Sequence, residues 1–251
     1  MIPALRKVAE CSRRVSRPVL VGAGSLAVIA AAAGPAAADP TAGRGAPSAP
    51  ASTVAFWGSF GTAGSVSSPL TTPFPVYLPG AVRQIGTSNS TAYALLTNGS
   101  VYAWGLGANG QLGVPLRVKL PGRVREAFLG GSLPRNGQTL VLLDNGSLYA
   151  WGDGRHYQLG TGTTASQPSP VRVPLRPGLR FTKIATSGAT SYGITRGGDL
   201  YAWGDNEFGQ VGNGSKVNAP APVFVLGGVR DASGTNFDVA VSLRDGGSYR
   251  R

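Results

Sequence analysis

The tetrapeptide Tyr102-Ala103-Trp104-Gly105 returns unchanged as Tyr149-Ala150-Trp151-Gly152 and Tyr201-Ala202-Trp203-Gly204, with a degenerate copy at Ala55-Phe56-Trp57-Gly58. These copies hold all four tryptophans of the chain, at successive spacings of 47, 47 and 52 residues. A repeat with a period of about 50 residues requires one supersecondary unit to be stacked several times, because a single unit cannot bury its own apolar face. Any fold proposed for this chain is therefore a fold per unit.

Each copy follows an alternating arm and a tight turn: Ala92 to Leu96 with Thr97-Asn98-Gly99-Ser100, Thr139 to Leu143 with Asp144-Asn145-Gly146-Ser147, and Ser191 to Thr195 with Arg196-Gly197-Gly198-Asp199. Asn-Gly and Gly-Gly between apolar runs predict β-hairpins, since two-residue hairpin turns need positive φ at their centre. In the second arm Tyr102 and Trp104 share one face and Val101 and Ala103 the other. Both sets are apolar, which suits a sheet covered on both sides. Downstream come Gly110-Gln111-Leu112-Gly113, Tyr157-Gln158-Leu159-Gly160 and Gly209-Gln210-Val211-Gly212. Prolyl strands follow from Pro75, Pro115, Pro170 and Pro222, with proline read as the first strand residue. A Gly turn and a short apolar-basic pair (Val82-Arg83, Val124-Arg125, Leu179-Arg180, Val229-Arg230) then close the unit. Four short strands per unit, repeated radially, predict an all-β chain: a β-propeller of four-stranded antiparallel blades with about four units.

The order of Asn/Gly-Gly, Tyr-Ala-Trp-Gly, Asp205 to Gly212 and Pro-Val resembles the repeat of the regulator of chromosome condensation family, here in a secreted bacterial form. The resemblance covers residues 53–251 and implies a propeller; the best-known members have seven blades. The family's Gly-x-x-His-Ser/Thr step lacks its histidine at Ser88-Asn89-Ser90, at Arg135-Asn136-Gly137-Gln138 and at Gly188-Ala189-Thr190.

Residues 1–38 have the three-part layout of a signal peptide: Arg6, Lys7, Arg13, Arg14 and Arg17, then an apolar run over 18–34, then Ala36-Ala37-Ala38 before Asp39. A retained membrane anchor is the alternative reading, and Ser12-Arg13-Arg14 leaves twin-arginine export open beside the general route. Cys11 precedes the apolar run, so cleavage leaves a chain without thiols or disulfides. Residues 39–52 read as a flexible spacer of Pro, Gly, Ala and Ser. The first 38 residues hold five basic residues and one acid, so the remainder carries 18 basic and 10 acidic residues, net +8. That surplus favours acidic partners: a protein, or an anionic cell-surface polymer. The basic residues are scattered, without the pattern of a specific nucleic-acid groove. After cleavage no integral membrane span is expected.

His156, the one histidine, sits in Asp153-Gly154-Arg155-His156-Tyr157, where the next unit has Asp205-Asn206-Glu207-Phe208-Gly209. With no nucleophile, acid or further ligand set around it, neither a catalytic triad nor zinc is expected. Asp205, Asn206 and Glu207 lack the spacing of a calcium loop and read as turn formers. No catalytic residue, cofactor or metal is assigned. Trp57, Trp104, Trp151 and Trp203 are assigned to the structural layer between blades. Tyr157, Phe208, His156 and Arg155 are the candidate partner contacts, because repeat proteins act through loops of several units.

The leading functional reading is thus an exported, non-enzymatic module that binds a macromolecule, enzyme inhibition being one form of it. Guanine nucleotide exchange or chromatin-type binding, implied by the resemblance, and a cell-wall-active enzyme are the alternatives. The first unit enters at the second hairpin arm, Val54 to Trp57, and the last runs through the first arm, Phe237 to Leu243. Those halves suit closure into four blades. Arg244 to Tyr249, however, starts a second arm of its own before Arg250-Arg251. The expectation is an open arc, cut by truncation or frameshift, with an exposed apolar sheet face that invites self-association.

Overall fold

A computed structural model describes residues 29–31, 52–58, 70–87, 91–105, 115–130, 137–234, 238–245 and 248–250. Among them are eighteen strands and no helix, so no helix is long and apolar enough to cross a membrane. The strands form five antiparallel sheets. Sheet one joins β1 (Ile29–Ala31), β2 (Ser52–Gly58) and β3 (Leu70–Leu78). Sheet two joins β4 (Val82–Thr87), β5 (Thr91–Leu96), β6 (Val101–Gly105) and β7 (Leu116–Arg117). Sheet three joins β8 (Val124–Gly130), β9 (Gln138–Leu143), β10 (Leu148–Gly152) and β11 (Gln167–Arg172). Sheet four joins β12 (Phe181–Ser187), β13 (Thr190–Thr195), β14 (Leu200–Gly204) and β15 (Ala219–Leu226). Sheet five joins β16 (Val229–Gly234), β17 (Val239–Leu243) and β18 (Ser248–Arg250). The expectation of about four units becomes three complete sheets flanked by two of three strands.

The hairpins fall where the turn residues place them. Leu96 N–H donates to Ser100 O and Gly99 N–H to Leu96 O, each at 2.9 Å, with Gly99 at φ 81°. Leu143 and Ser147 repeat the pattern around Gly146. Burial on both faces also holds. In β5, Ala92, Ala94 and Leu96 pack with Val54, Val76, Leu78 and Trp104 toward sheet one. Tyr93 and Leu95 pack with Val124, Ala127, Val141 and Leu143 toward sheet three. A third cluster runs from Leu140 and Leu142 through sheet four to Val229 and Val241.

Two readings need correction. The apolar-basic pairs do not close a unit: Val82, Val124 and Val229 open the first strand of the next sheet, and Leu179-Arg180 lead into β12. In all four first strands the register shifts just after this opening residue, between Val82 and Gln84, Val124 and Glu126, Phe181 and Lys183, and Val229 and Asp231. Such a bulge bends the strand and increases its twist, as befits strands that pack against one another in succession along the inside of the arc. Nor do the prolines begin their strands. Pro73 and Pro75 lie within β3, Pro168 and Pro170 within β11, and Pro220 and Pro222 within β15. These strands sit at the outer end of each sheet, where one side needs no donors, and their ladders shift register beside these prolines.

The first strands are tied by side chains as well as by packing. Gln84 Nε2 donates to Ala127 O at 2.9 Å, Ile184 N–H to Glu126 Oε2 at 3.1 Å, and Lys183 Nζ to Arg230 O at 2.9 Å. The three residues hold the same place in β4, β8 and β12, and each reaches the backbone of the following sheet. Burial pushes the Glu126 carboxyl above its usual range, the hydrogen bond from Ile184 and the charge of Lys183 opposing this. Burial likewise raises the Tyr93 and Tyr192 hydroxyls, which stay protonated and donate to Ala127 O and to Gln210 O, the latter at 2.7 Å.

The arc is open. β17 takes β16 and β18 as neighbours, and β2 takes β1 and β3, so the first and last sheets do not share a ladder. Sheet five does not present the apolar outer face expected of it. Its outward positions in β17 are Ala240 and Ser242, where β5 has Tyr93 and Leu95, β9 has Leu140 and Leu142, and β13 has Tyr192 and Ile194. Residues 1–28, the Ala36-Ala37-Ala38 site and residues 39–51 of the 39–52 spacer lie outside the described residues, whereas Ile29–Ala31 of the apolar run form β1 and Ser52 opens β2.

Candidate functional site

Hairpin turns and connections between sheets occupy one end of the strands, and the long third-to-fourth-strand loops occupy the other. Two of these loops are described, 153–166 and 205–218, and they share one internal lock. Gln158 Nε2 donates to Asp153 Oδ2 at 3.1 Å, and Gln210 Nε2 to Asp205 Oδ2 at 3.2 Å. The two glutamine oxygens accept from His156 N–H at 2.8 Å and from Phe208 N–H at 2.9 Å. The carboxylates also accept from the backbone two residues on, Arg155 N–H and Glu207 N–H, both at 3.3 Å. Asp153 and Asp205 are thus turn anchors, and Glu207 takes part through its backbone N–H. Among the described residues no three His, Cys, Asp or Glu side chains gather as a metal cluster.

Asp153 is buried, and burial pushes its carboxyl up. The hydrogen bonds from the Arg155 side chain and N–H and from Ser166 outweigh this, leaving it below the usual range. Arg155 Nε lies 2.9 Å from Asp153 Oδ1, so this candidate contact is committed to its own loop while remaining exposed. His156 is half-buried, with Nδ1 3.9 Å from Asp205 Oδ1, and joins the two loops. Gly162 N–H donates to Pro220 O at 3.1 Å beside it.

Tyr157 and Phe208 part company. Tyr157 has φ 64°, the one described residue other than glycine with positive φ, and occupies the slot of Gly209, φ 81°. It is half-buried. Phe208 is 58% exposed, and Val217, 76% exposed, shares its loop with the exposed Lys216 and Glu207. This loop is held from beneath by Asn206, fully buried, whose Nδ2 donates to Asn213 Oδ1, Ser215 O and Val217 O at 3.3, 3.0 and 2.9 Å. Its Oδ1 accepts from Val211 N–H at 2.9 Å. Val217 and the Asn206 pin escaped the sequence reading. The recurring glutamine of Gly-Gln-Leu-Gly was the available signal for the lock.

The tryptophans are packing groups to different degrees. Trp203 is fully buried, stacks on Phe181 at 5.9 Å and 16°, and donates from Nε1 to Gln158 O of the preceding sheet's loop at 3.1 Å. Ser191 Oγ donates to the same carbonyl at 2.9 Å. Gly160 presses on this indole: a Cβ there would lie 2.7 Å from Trp203 Nε1 and 3.1 Å from Val173. Trp104 is buried toward sheet one, whereas Trp57 and Trp151 are half-buried.

Residues 98–132, 145–193 and 197–237 match the Regulator of chromosome condensation (RCC1) repeat, and residues 82–111 and 181–210 match a second form of it. Together these matches cover more than half of the chain. The ultraviolet-B receptor UVR8 of Arabidopsis thaliana is 31% identical over 169 residues, 66% of this chain and 28% of the receptor. The human E3 ubiquitin-protein ligase HERC2 is 31% identical over 156 residues, 58% of this chain and 3% of the ligase. Human WBSCR16 superposes with a TM-score of 0.66 at 22% identity, over 78% of this chain and 56% of that one. Yeast RCC1 (Prp20), solved bound to Kap60, superposes at 0.66 and 20% identity, over 79% of this chain and 51% of that one. The chain therefore spans about half the length of these solved relatives and under a third of the curated ones. With more than half of its residues matched to this repeat, the chain belongs to the regulator of chromosome condensation (RCC1) repeat family.

Proposed function

We propose that the protein is an exported binding module that takes a protein partner at the long-loop end of its sheets. The observation that carries this is the pair of locked loops, which hold Arg155, Glu207, Phe208, Lys216 and Val217 exposed on a rigid base. Pre-organised apolar and charged side chains of this kind lower the entropy cost of association. The +8 charge of residues 39–251 favours an acidic partner surface and faster encounter with it. A solved relative, Prp20p of Saccharomyces cerevisiae, is described by its binding to Gsp1p and histones, which makes a protein the first partner class to test. HERC2 is named as a ligase, but this chain covers 3% of it, and no ligase chemistry is carried over.

The export half of the reading rests on the layout of residues 1–38 and predicts a chain that begins at or near Asp39 outside the cytoplasm. Amino-terminal sequencing of the protein from culture medium tests it, and an intact Met1 chain in washed membranes refutes it. For the binding half, immobilised protein is compared with its Phe208→Ser/Val217→Ser variant in capture of proteins from the producer's supernatant. Loss of a captured protein at unchanged far-UV circular dichroism supports the loop end as the contact surface. Equal capture by both refutes it.

A further inference from the structure

The basic surplus is not spread evenly along the strands. At the long-loop end the described acids Asp153, Asp205, Glu207 and Asp238 outnumber Arg155 and Lys216. Among the described residues the excess therefore lies at the other end, where hairpin turns meet the segments that join one sheet to the next. Net charge steers a partner from a distance, but contact is local.

At this end two arginines recur in the same places at two successive junctions. Between sheets two and three, Arg117 pairs with Tyr102 at the end of β7, and Arg123 directly precedes Val124, the opening residue of β8. Between sheets three and four, Arg172 pairs with Tyr149, and Arg180 directly precedes Phe181. All four are exposed. The segments after Arg117 and Arg172 are set by the same bond, Val118 N–H to Val101 O and Val173 N–H to Leu148 O, each at 2.9 Å. The second arginine of each pair is fixed against the preceding hairpin turn. Arg123 Nη2 donates to Thr97 O at 3.3 Å, and its stem lies on Gly99, where an added Cβ would come within 2.8 Å of Arg123 Cβ. Arg180 Nη1 donates to Asn145 O at 3.1 Å, beside Gly146. One carbonyl occupies one N–H of a five-donor fork. Asp144, 3.7 Å from Arg123 Nε, is itself exposed, and a pair of that kind offsets little of the charge.

The turn of sheet two and the segment that follows β7 frame a cleft of about 330 Å³, with Asn98, Ser100, Arg117, Leu120 and Arg123 on its walls. Asn145, Ser147, Arg172, Leu175 and Arg180 hold the same places one junction on. The junctions on either side lack the pair. Ala81 and Gly228 precede the opening residues Val82 and Val229, and Pro75 and Phe224 stand in the place of Arg117.

We propose that the two arginine pairs form oxyanion sites that together hold a linear polymer with an anionic group in every repeat, laid across the turn end from sheet two to sheet four. Two guanidinium forks with a serine hydroxyl are a donor set for phosphate or carboxylate oxygens. Because the set occurs twice, one unit apart, a ligand that presents the same group repeatedly engages both, and its second contact is intramolecular. A folded acidic protein has no reason to present its carboxylates at that step. The surface is separate from the locked loops, and it binds its ligand whether or not they take a protein.

Isothermal titration calorimetry of the full chain at about 0.15 M salt tests this with inorganic polyphosphate, with polyglutamate of equal length, and with free phosphate and glutamate. At least one polymer is expected to bind about a hundredfold more tightly than its free anion, and the tighter of the two identifies the oxyanion. Arg117→Gln/Arg172→Gln takes one arginine from each site, leaves both turn contacts in place, and is expected to weaken polymer binding about tenfold or more. Arg83→Gln/Arg230→Gln removes the same charge from exposed positions at the same end, outside the two sites, and should weaken it less than about threefold. Far-UV circular dichroism checks that both variants are folded as the parent is. Binding of neither polymer, free anions bound as tightly as the chains, or a loss at Arg117 and Arg172 no greater than at Arg83 and Arg230 overturns the proposal.

Discussion

Trp203→Ala tests the idea that the repeated indole is the joint between neighbouring sheets. The side chain is fully buried, lies on Phe181 and bonds across the unit boundary to Gln158 O. Truncating a buried aromatic to alanine costs about 3 to 5 kcal/mol, and the lost hydrogen bond about 1 more. The carbonyl left behind is not orphaned, because Ser191 Oγ still donates to it. A total of about 4 to 6 kcal/mol is therefore expected, a large share of the roughly 5 to 15 kcal/mol of a folded domain. Urea titration followed by far-UV circular dichroism reads this as a midpoint about 2 to 3 M lower at a slope of about 2 kcal/mol/M. Trp151 is half-buried, so Trp151→Ala should cost about half as much. A loss under about 1 kcal/mol at Trp203, or equal losses at the two sites, would refute the joint.

Asn206→Ala removes the acceptor of one bond and the donor of three in a buried loop; a cost of about 2 to 4 kcal/mol, with loss of the protein captured at the loop end, is expected by urea titration and pull-down. Unchanged capture would detach the loop from function. Tyr157→Gly relieves a non-glycine residue at φ 64°, and stability should stay level or rise by up to about 1 kcal/mol; a clear loss would give the tyrosine ring a packing role that outweighs the backbone. Glu126 is held by the fold with its carboxyl raised, so the native state binds this proton more tightly than the unfolded chain. Its contribution is greatest below the unfolded carboxylate range and declines as pH rises through the folded value. Glu126→Gln, which keeps an oxygen for Ile184 N–H, should abolish that decline, and a variant that instead loses stability relative to the parent as pH rises would show the sign to be wrong.

Local patterns that act through the backbone alone were legible in the sequence. Asn98-Gly99 and Asn145-Gly146 fixed the hairpins, and the doubly apolar run Ala92 to Leu96 announced a strand buried on both faces. The phase of the unit was not legible, because Val124-Arg125 is as compatible with the end of a sheet as with the start of one; only the bulge at Arg125 and its packing on neighbouring first strands decide. Pro170 and Pro222 read as strand openers since a ladder partner on one side cannot be seen in a linear pattern. The apolar face expected at sheet five was inferred from the average unit, and Ala240 and Ser242 depart from it. At the loop end, Arg155, His156 and Phe208 were found by comparing units, but that Arg155 turns back on Asp153 of its own loop while His156 reaches Asp205 of the next depends on loop conformation and on a contact between units that a linear pattern does not show.

The links from Gln84, Glu126 and Lys183 to the next first strand bear on how the array melts. Stacked repeats can behave as a row of weakly coupled units, each opening at its own midpoint and each able to nucleate refolding. A side chain that spans each of the three junctions between sheets two and five at the same place raises the cost of a boundary between a formed and an unformed unit. Partly melted arrays then become scarce, and the chain loses its order over a narrow span of denaturant. Sheet five ends the row of links among the described residues, since Asp231 stands in the sequence position of these three residues but serves as acceptor for Lys183 of sheet four. Fraying should therefore begin at sheet five and travel inward, one junction at a time.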